Sequence, residues 1–130
     1  MVNIILVSHV KEIAEGAKKL AEQMKHGKVE IIAVGGTADG DIGTDPDAIE
    51  SAIKEVNKDD GIIILADLGS AIMSVNMVLD WLGDEVREKI VLADAPFVEG
   101  AVVAAVEAGM GNSIEEILES IESAEMIKKN

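Results

Sequence analysis

Val2-Asn3-Ile4-Ile5-Leu6-Val7-Ser8-His9 is an apolar run of strand character that stops at a serine and a histidine. A helical pattern begins at once in Val10-Lys11-Glu12-Ile13-Ala14. An unbroken apolar run of this kind reads as a strand covered on both faces, as in a parallel sheet. His9 then stands at the carboxyl end of a buried strand and at the mouth of a helix. Ligands and chemistry collect in that crevice in open α/β sheets. Two readings follow: His9 is a polar loop residue, or it is a nucleophile.

Outward from this stretch the pattern repeats. Val10, Ile13, Ala14, Ala17, Leu20, Ala21 and Met24 keep helical spacing, with Ser8 read as the N-cap, Gly27 as the stop and His26 as a structural residue of the last turn. Gly16 costs roughly 1 kcal/mol against alanine inside a helix, so close packing is expected there. Val29 to Val34 is a second strand, followed by a glycine-rich loop from Gly35 to Asp45 that is expected to be flexible. Asp45 before Pro46 reads as an N-cap followed by proline at the first helical position, opening a helix that ends near Asn57. Gly61 to Ala66 is a third strand, ending in Asp67-Leu68-Gly69-Ser70. Glu88 to Ala93 is a fourth, closed by Asp94-Ala95-Pro96. Ser113-Ile114-Glu115-Glu116 carries the capping-box pattern of a last helix, and residues 126–130 are expected to fray.

The helices from Ala71 to about Leu82 and from about Phe97 to Ala108 are apolar on most sides. Such helices are central or covered by another subunit, so a homodimer is expected with both contributing. Strands alternating with helices mean a parallel sheet with right-handed crossovers. The expected fold is an open α/β sheet of four parallel strands in order 2-1-3-4, with helices on both faces, in a single domain over residues 1–130. The switch point then falls between the first and third strands, at His9 and Asp67.

Composition narrows the function. The chain has no cysteine, which excludes disulfides, thiolate nucleophiles and cysteine-ligated metals and fits a cytoplasmic protein. A net charge of −14 repels nucleic acid and anionic lipid, so neither is an expected partner; it either attracts a basic protein or only keeps the chain soluble, and charge alone does not separate the two. No apolar run reaches the ~20 residues of a membrane span. The start lacks a basic segment before its strand, so no signal peptide is expected.

Four groups are expected to converge at the carboxyl edge of the sheet: Ser8-His9, the glycine-rich loop, Asp67 to Ser70, and Asp94 to Pro96. A carboxylate bonded to one imidazole nitrogen fixes the tautomer and frees the other nitrogen to attack. The helix N-terminus after Gly69-Ser70 offers backbone N–H groups suited to a phosphoryl group. Asp67 and Ser70 could equally do no more than cap that helix. From the residues alone the two readings stand side by side. A serine hydrolase is disfavoured because Ser70 follows Asp67-Leu68-Gly69 and not a nucleophile elbow. A receiver domain needs an acidic cluster where this chain has Ser8-His9, and a flavodoxin needs a hydroxyl-rich phosphate loop there. The loop from Gly35 lacks a P-loop lysine motif, and its Asp39, Asp41 and Asp45 do not complete a calcium loop.

Four motifs in order carry a resemblance: Met1 to His9, Ile42-Gly43-Thr44-Asp45, Asp67-Leu68-Gly69-Ser70-Ala71 and Ala95-Pro96-Phe97-Val98-Glu99-Gly100. Together they resemble the DhaM phosphocarrier subunits of phosphoenolpyruvate-dependent dihydroxyacetone kinases, whose fold is that of the mannose-type EIIA domains of the sugar phosphotransferase system. The likeness spans about the whole chain. It implies that His9 accepts a phosphoryl group on Nε2 from the carrier protein HPr and passes it to ADP held in the kinase's nucleotide-binding subunit. It implies that Asp67 orients His9, that Ser70 and Gly69 line the phosphate, and that Thr44 lies near. Some relatives carry further donor domains, so this chain is expected to rely on separate ones. No metal and no cofactor are implied. The alternatives are the EIIA domain of a sugar permease, handing phosphate to a IIB domain, and a non-catalytic binding module whose His9 is incidental.

Overall fold

The structure, a computed structural model, describes residues 1–128. Four strands, β1 (Asn3–Ser8), β2 (Ile31–Gly35), β3 (Ile62–Ala66) and β4 (Ile90–Leu92), form one sheet in the order β2-β1-β3-β4. All three pairings are parallel, as the apolar runs require. In the register, Leu6 stands between Ala33 and Leu65, and Ser8 lies opposite Gly35.

The two-residue period of a strand divides β1 and β3 between two cores. Ile4 and Leu6 of β1, with Ile63 and Leu65 of β3, face α1 (Lys11–Met24), α5 (Phe97–Gly109) and α6 (Ile114–Ile121). Ile5 and Val7, with Ile62 and Ile64, face α2 (Pro46–Glu55) and α3 (Gly69–Trp81). These strand residues are almost wholly removed from solvent. With both central strands sealed on both faces, only their ends reach water.

Several expectations are corrected here. The buried face of α1 consists of Ala14, Ala17 and Ala21, whereas Ile13, Leu20 and Met24 are each about half exposed. The helix sits so close to the sheet that small side chains fill the gap. A Cβ on Gly35 would come within 2.7 Å of Lys11 and Val10 backbone atoms. Gly16, expected to pack closely, has nothing near its Cβ position. The N-cap of α1 is Val10 rather than Ser8. His26 lies beyond the end of α1, not in its last turn. A one-turn helix, α4 (Asp84–Arg87), was not anticipated, and a 3₁₀ turn covers Ala124–Ile127 where fraying was expected. Lys129 and Asn130, the end of that stretch, lie outside the described residues.

The two apolar helices part company. α5 buries Gly100, Ala101, Ala104, Ala105 and Ala108 between the sheet, α1 and α6, so the chain itself accounts for most of its surface. α3 buries Ala71, Val75, Val78 and Leu79 but leaves Ile72, Met73, Met77 and Trp81 exposed. The capping box at the start of α6 forms as read, with Ser113 accepting from the Glu116 amide and Glu116 accepting from Ser113.

Candidate functional site

The carboxyl ends of β1 and β3 are adjacent because these strands pair directly, and the Asp67 N–H donates to the Val7 carbonyl. That places Asp67 beside Ser8 and His9. The carboxylate accepts four hydrogen bonds. Its Oδ2 takes the Ser8 hydroxyl at 2.7 Å and the His9 backbone N–H at 3.1 Å. Its Oδ1 takes His9 Nδ1–H and the Leu68 backbone N–H, both at 2.8 Å. Burial alone would raise the Asp67 pKa, but the bonds from Ser8, the His9 ring and the two backbone amides outweigh it and hold the carboxyl below the usual carboxylate range. An ionised Asp67 fixes the proton of His9 on Nδ1 and leaves the lone pair on Nε2.

Ser8 is fully buried and works in both directions, donating to Asp67 and accepting the Val10 N–H at 3.1 Å. Its hydroxyl thus orients the carboxylate and holds the N-cap residue of α1 through the Val10 amide. His9 and Asp67 side chains are each 15% exposed, so the pair is shielded but open on one side. On that side Ser70 meets His9 Nε2 through its hydroxyl, which donates to the lone pair in this tautomer.

The capping alternative for Asp67 and Ser70 fails on geometry. The N-cap of α3 is Leu68, and no side chain caps this helix. Asp67 spends its one bond to this turn on the amide of Leu68, ahead of the helix. Gly69 and Ser70 supply the first amides of α3, and a Cβ on Gly69 would meet only open space. An uncapped helix end beside an imidazole lone pair is an arrangement able to hold an anion. Its surroundings suit that role, because α3 carries no ionisable residue before Asp80 in a chain of net charge −14.

The glycine-rich loop is held rather than loose. Gly36, at φ +75°, turns the chain so that its N–H reaches the Ser8 carbonyl at 3.3 Å. The Gly43 N–H donates to the His9 carbonyl at 2.8 Å. Asp45 caps α2 by accepting from the Asp47 and Ala48 amides on Oδ1. Thr44 lies between these anchors, and its hydroxyl meets Ser74 at 2.6 Å rather than His9 or Ser70. Asp94, just past the carboxyl end of the parallel β4, donates its backbone N–H to Glu122, and Asp94, Ala95 and Pro96 line a groove with Ile121 and Glu122. Ser74 had no signal in the sequence, because one hydroxyl in the second turn of an apolar helix reads as neutral. A groove of about 860 Å³ between α5 and α6 is lined by Val102, Val106, Met110 and Glu116, and His9 is not part of it.

Comparison with known proteins bears on this geometry. A family profile described as PTS system fructose IIA component, EIIA-man, matches residues 3–118. The chain is 40% identical over 121 residues to the phosphoryl donor subunit DhaM of PEP-dependent dihydroxyacetone kinase 2 from Listeria innocua, covering 93% of this chain and 97% of that one. It is 39% identical over 132 residues to the DhaM subunit of Providencia stuartii, covering 99% of this chain and 28% of that longer protein. A crystal structure of a protein of unknown function, EF1359, superposes with a TM-score of 0.83 at 41% identity, over 91% of this chain and 90% of the other.

Proposed function

The chain belongs to the EIIA-man family, and from that premise we propose that it is the phosphoryl donor subunit of a PEP-dependent dihydroxyacetone kinase, carrying the group on Nε2 of His9. The observation that carries this reading is the pairing of His9 Nδ1 with a saturated, ionised Asp67, which leaves Nε2 outward beside the open amides of α3.

The chemistry follows from the positions. Nε2 attacks phosphorus in line as the N–P bond of a donor phosphohistidine breaks, and the donor's ring nitrogen keeps the electron pair. The proton on Nδ1 stays where Asp67 holds it, so the phosphorylated ring is cationic and its charge rests against the carboxylate at 2.8 Å. Such charge-assisted bonds contribute roughly 1.5–3 kcal/mol. Ser70 occupies the lone pair at rest and must leave it before attack. The same hydroxyl can then donate to a phosphoryl oxygen, joined by the amides of Gly69 and Ser70. In the second step the N–P bond breaks toward a terminal oxygen of ADP bound in the kinase's nucleotide subunit, and Nε2 regains its lone pair. Position and electrostatics carry most of the catalysis in transfers of this kind.

The donor in this proposal is phospho-HPr, a protein expected to dock by basic residues on the acidic surface. Homodimerisation and a cytoplasmic location belong to the same proposal. Among the described residues no helix is long and apolar enough to cross a membrane. Sedimentation at micromolar concentration tests the dimer, and a monomer alone would remove it.

The test of function is direct. With phosphoenolpyruvate, enzyme I and HPr the protein should take up acid-labile phosphate, and His9→Ala should take up none. Absence of label in the wild type, or label surviving in the variant, would end the proposal. A permease EIIA role is the second reading, since the matched profile is described as a fructose IIA component. Delivery of the label to a purified IIB domain but not to the ADP-loaded kinase subunit would favour it.

A further inference from the structure

We infer that Ser74 is a positioning residue for the phosphoryl transfer, acting through Thr44 and Ser70; the inference rests on His9 as the phosphoryl carrier.

Ser74 lies one turn beyond Ser70 on α3, and its Oγ is 3.1 Å from the Ser70 carbonyl oxygen. A carbonyl only accepts, so the single hydroxyl hydrogen of Ser74 is spent there. The Thr44 hydroxyl, 2.6 Å from Ser74 Oγ, must then be the donor of that bond. The relay runs Thr44 O–H to Ser74 O–H to the Ser70 carbonyl, in one direction only. It ends on the backbone of the residue whose side chain covers Nε2.

Packing gives no reason for this arrangement. A serine hydroxyl bonded back to the carbonyl four residues earlier slightly destabilises and bends a helix. Ser74 is half-buried among apolar neighbours on α3, where alanine would serve the helix better. What Ser74 adds is a tie between two separate elements. The loop from Gly36 to Asp45 is already fixed to β1 by the Gly43 N–H on the His9 carbonyl. Thr44, the next residue, fixes it to the first turns of α3. The His9 backbone and the Ser70 side chain are therefore set against each other by a closed circuit: His9 carbonyl, Gly43, Thr44, Ser74, Ser70, His9 Nε2. Without Ser74 the circuit opens, and the cradle of α3 amides loses its register with the attacking nitrogen.

The commitment of Thr44 has a chemical meaning as well. While its hydrogen is on Ser74 it cannot donate to a phosphoryl oxygen, so Thr44 acts on the site through Ser74. Removing either hydroxyl breaks the same bond. The two substitutions should therefore not add, which separates a shared circuit from two independent contacts.

The experiment measures single-turnover transfer from phospho-HPr at saturating donor, with thermal unfolding and amide exchange on the same proteins. Ser74→Ala should slow transfer about tenfold, since misplacement of a reacting group by a fraction of an ångström is costly, while the donor concentration for half-saturation changes by less than about twofold. Thr44→Val should do the same, and the double variant should be no slower than the slower single one. Ser74→Thr, which keeps the hydroxyl, should restore most of the rate. The Gly43 amide should exchange faster in Ser74→Ala than in the wild type. A wild-type rate in Ser74→Ala, or a double variant slowed by the product of the single effects, would overturn the inference. If the wild type takes no phosphate, it is the reading of His9 that fails, and Gly43 exchange still decides the circuit: unchanged protection in Ser74→Ala ends it.

Discussion

The two ends of β1 bury one polar side chain each, and they do opposite things with it. Asn3, at the amino end, is 4% exposed, and Ser8, at the carboxyl end, is fully buried. Asn3 Oδ1 accepts the Glu30 N–H at 2.8 Å, and its amide donates to the Asn57 carbonyl at 2.9 Å and to Glu30 Oε1 at 3.5 Å. Those bonds tie the start of the sheet to the turns around it and lead nowhere further. Ser8 donates to a carboxylate, the carboxylate holds an imidazole, and the imidazole presents its Nε2 lone pair to the Ser70 hydroxyl. Burial and hydrogen bonding are alike at the two ends. What differs is the last member of the chain of bonds. At one end it is backbone and the Glu30 carboxylate, and at the other it is an imidazole beside an uncapped helix.

Asp67→Asn should have the largest effect. The amide presents both a donor and an acceptor to four donors that need a carboxylate, so the ring loses its fixed tautomer. Transfer should fall on the order of 10²-fold while the circular dichroism spectrum stays that of the folded wild type. An unchanged rate would reduce Asp67 to a structural partner like Asn3. The pH dependence sharpens the same point. The folded pKa of Asp67 is depressed, so its contribution to stability is complete above the unfolded value of about 3.9 and is lost as pH falls through the folded value. In urea unfolding, the stability gap between wild type and Asp67→Asn should be constant from about pH 7 to 5 and should close only below about pH 4. A gap that closes near neutrality would show that another group governs it.

Asn3→Ala should show the reverse signature. It leaves the Glu30 amide and the Asn57 carbonyl without their buried partner, which costs about 1–3 kcal/mol in urea unfolding. The phosphoryl transfer rate should stay at the wild-type value, and a slower rate would mean that the two ends are coupled through β1. The smallest effect belongs to Asp45→Ala, which removes a cap at the carboxyl edge. Stability should drop by about 1 kcal/mol, with transfer changed by less than about twofold. A larger loss of rate would show that the cap holds Thr44 in place.

Most of the fold was legible because its signals are of long range in sequence. Apolar runs ending at Ser8, Val34 and Ala66 define sealed strands, and their alternation with helices leaves few sheet orders. The pairing of His9 with Asp67 followed from that order alone. The face of α1 was misread because period identifies which residues are apolar and not how far the helix stands from the sheet. With Gly35 beneath it, α1 approaches so closely that alanines fill the interface and Ile13 and Leu20 are left outside. The full use of Asp67 was legible in part. Its ring partner was expected, but the Ser8 hydroxyl was assigned to a cap it does not form. Ser74 was silent, since its role depends on a loop meeting a helix across 30 residues.

Trp81 closes α3, about half exposed, and it is the chain's one indole, with no tyrosine beside it. Intrinsic emission from this protein therefore arises from one place. At a rise of about 1.5 Å per residue the indole lies roughly 18 Å along the helix from Gly69. Phosphorylation of His9 is too remote to quench it directly, whereas a protein lying along α3 would change its solvent contact. The molecule thus carries its own optical reporter, one that distinguishes arrival of a partner from arrival of the phosphoryl group.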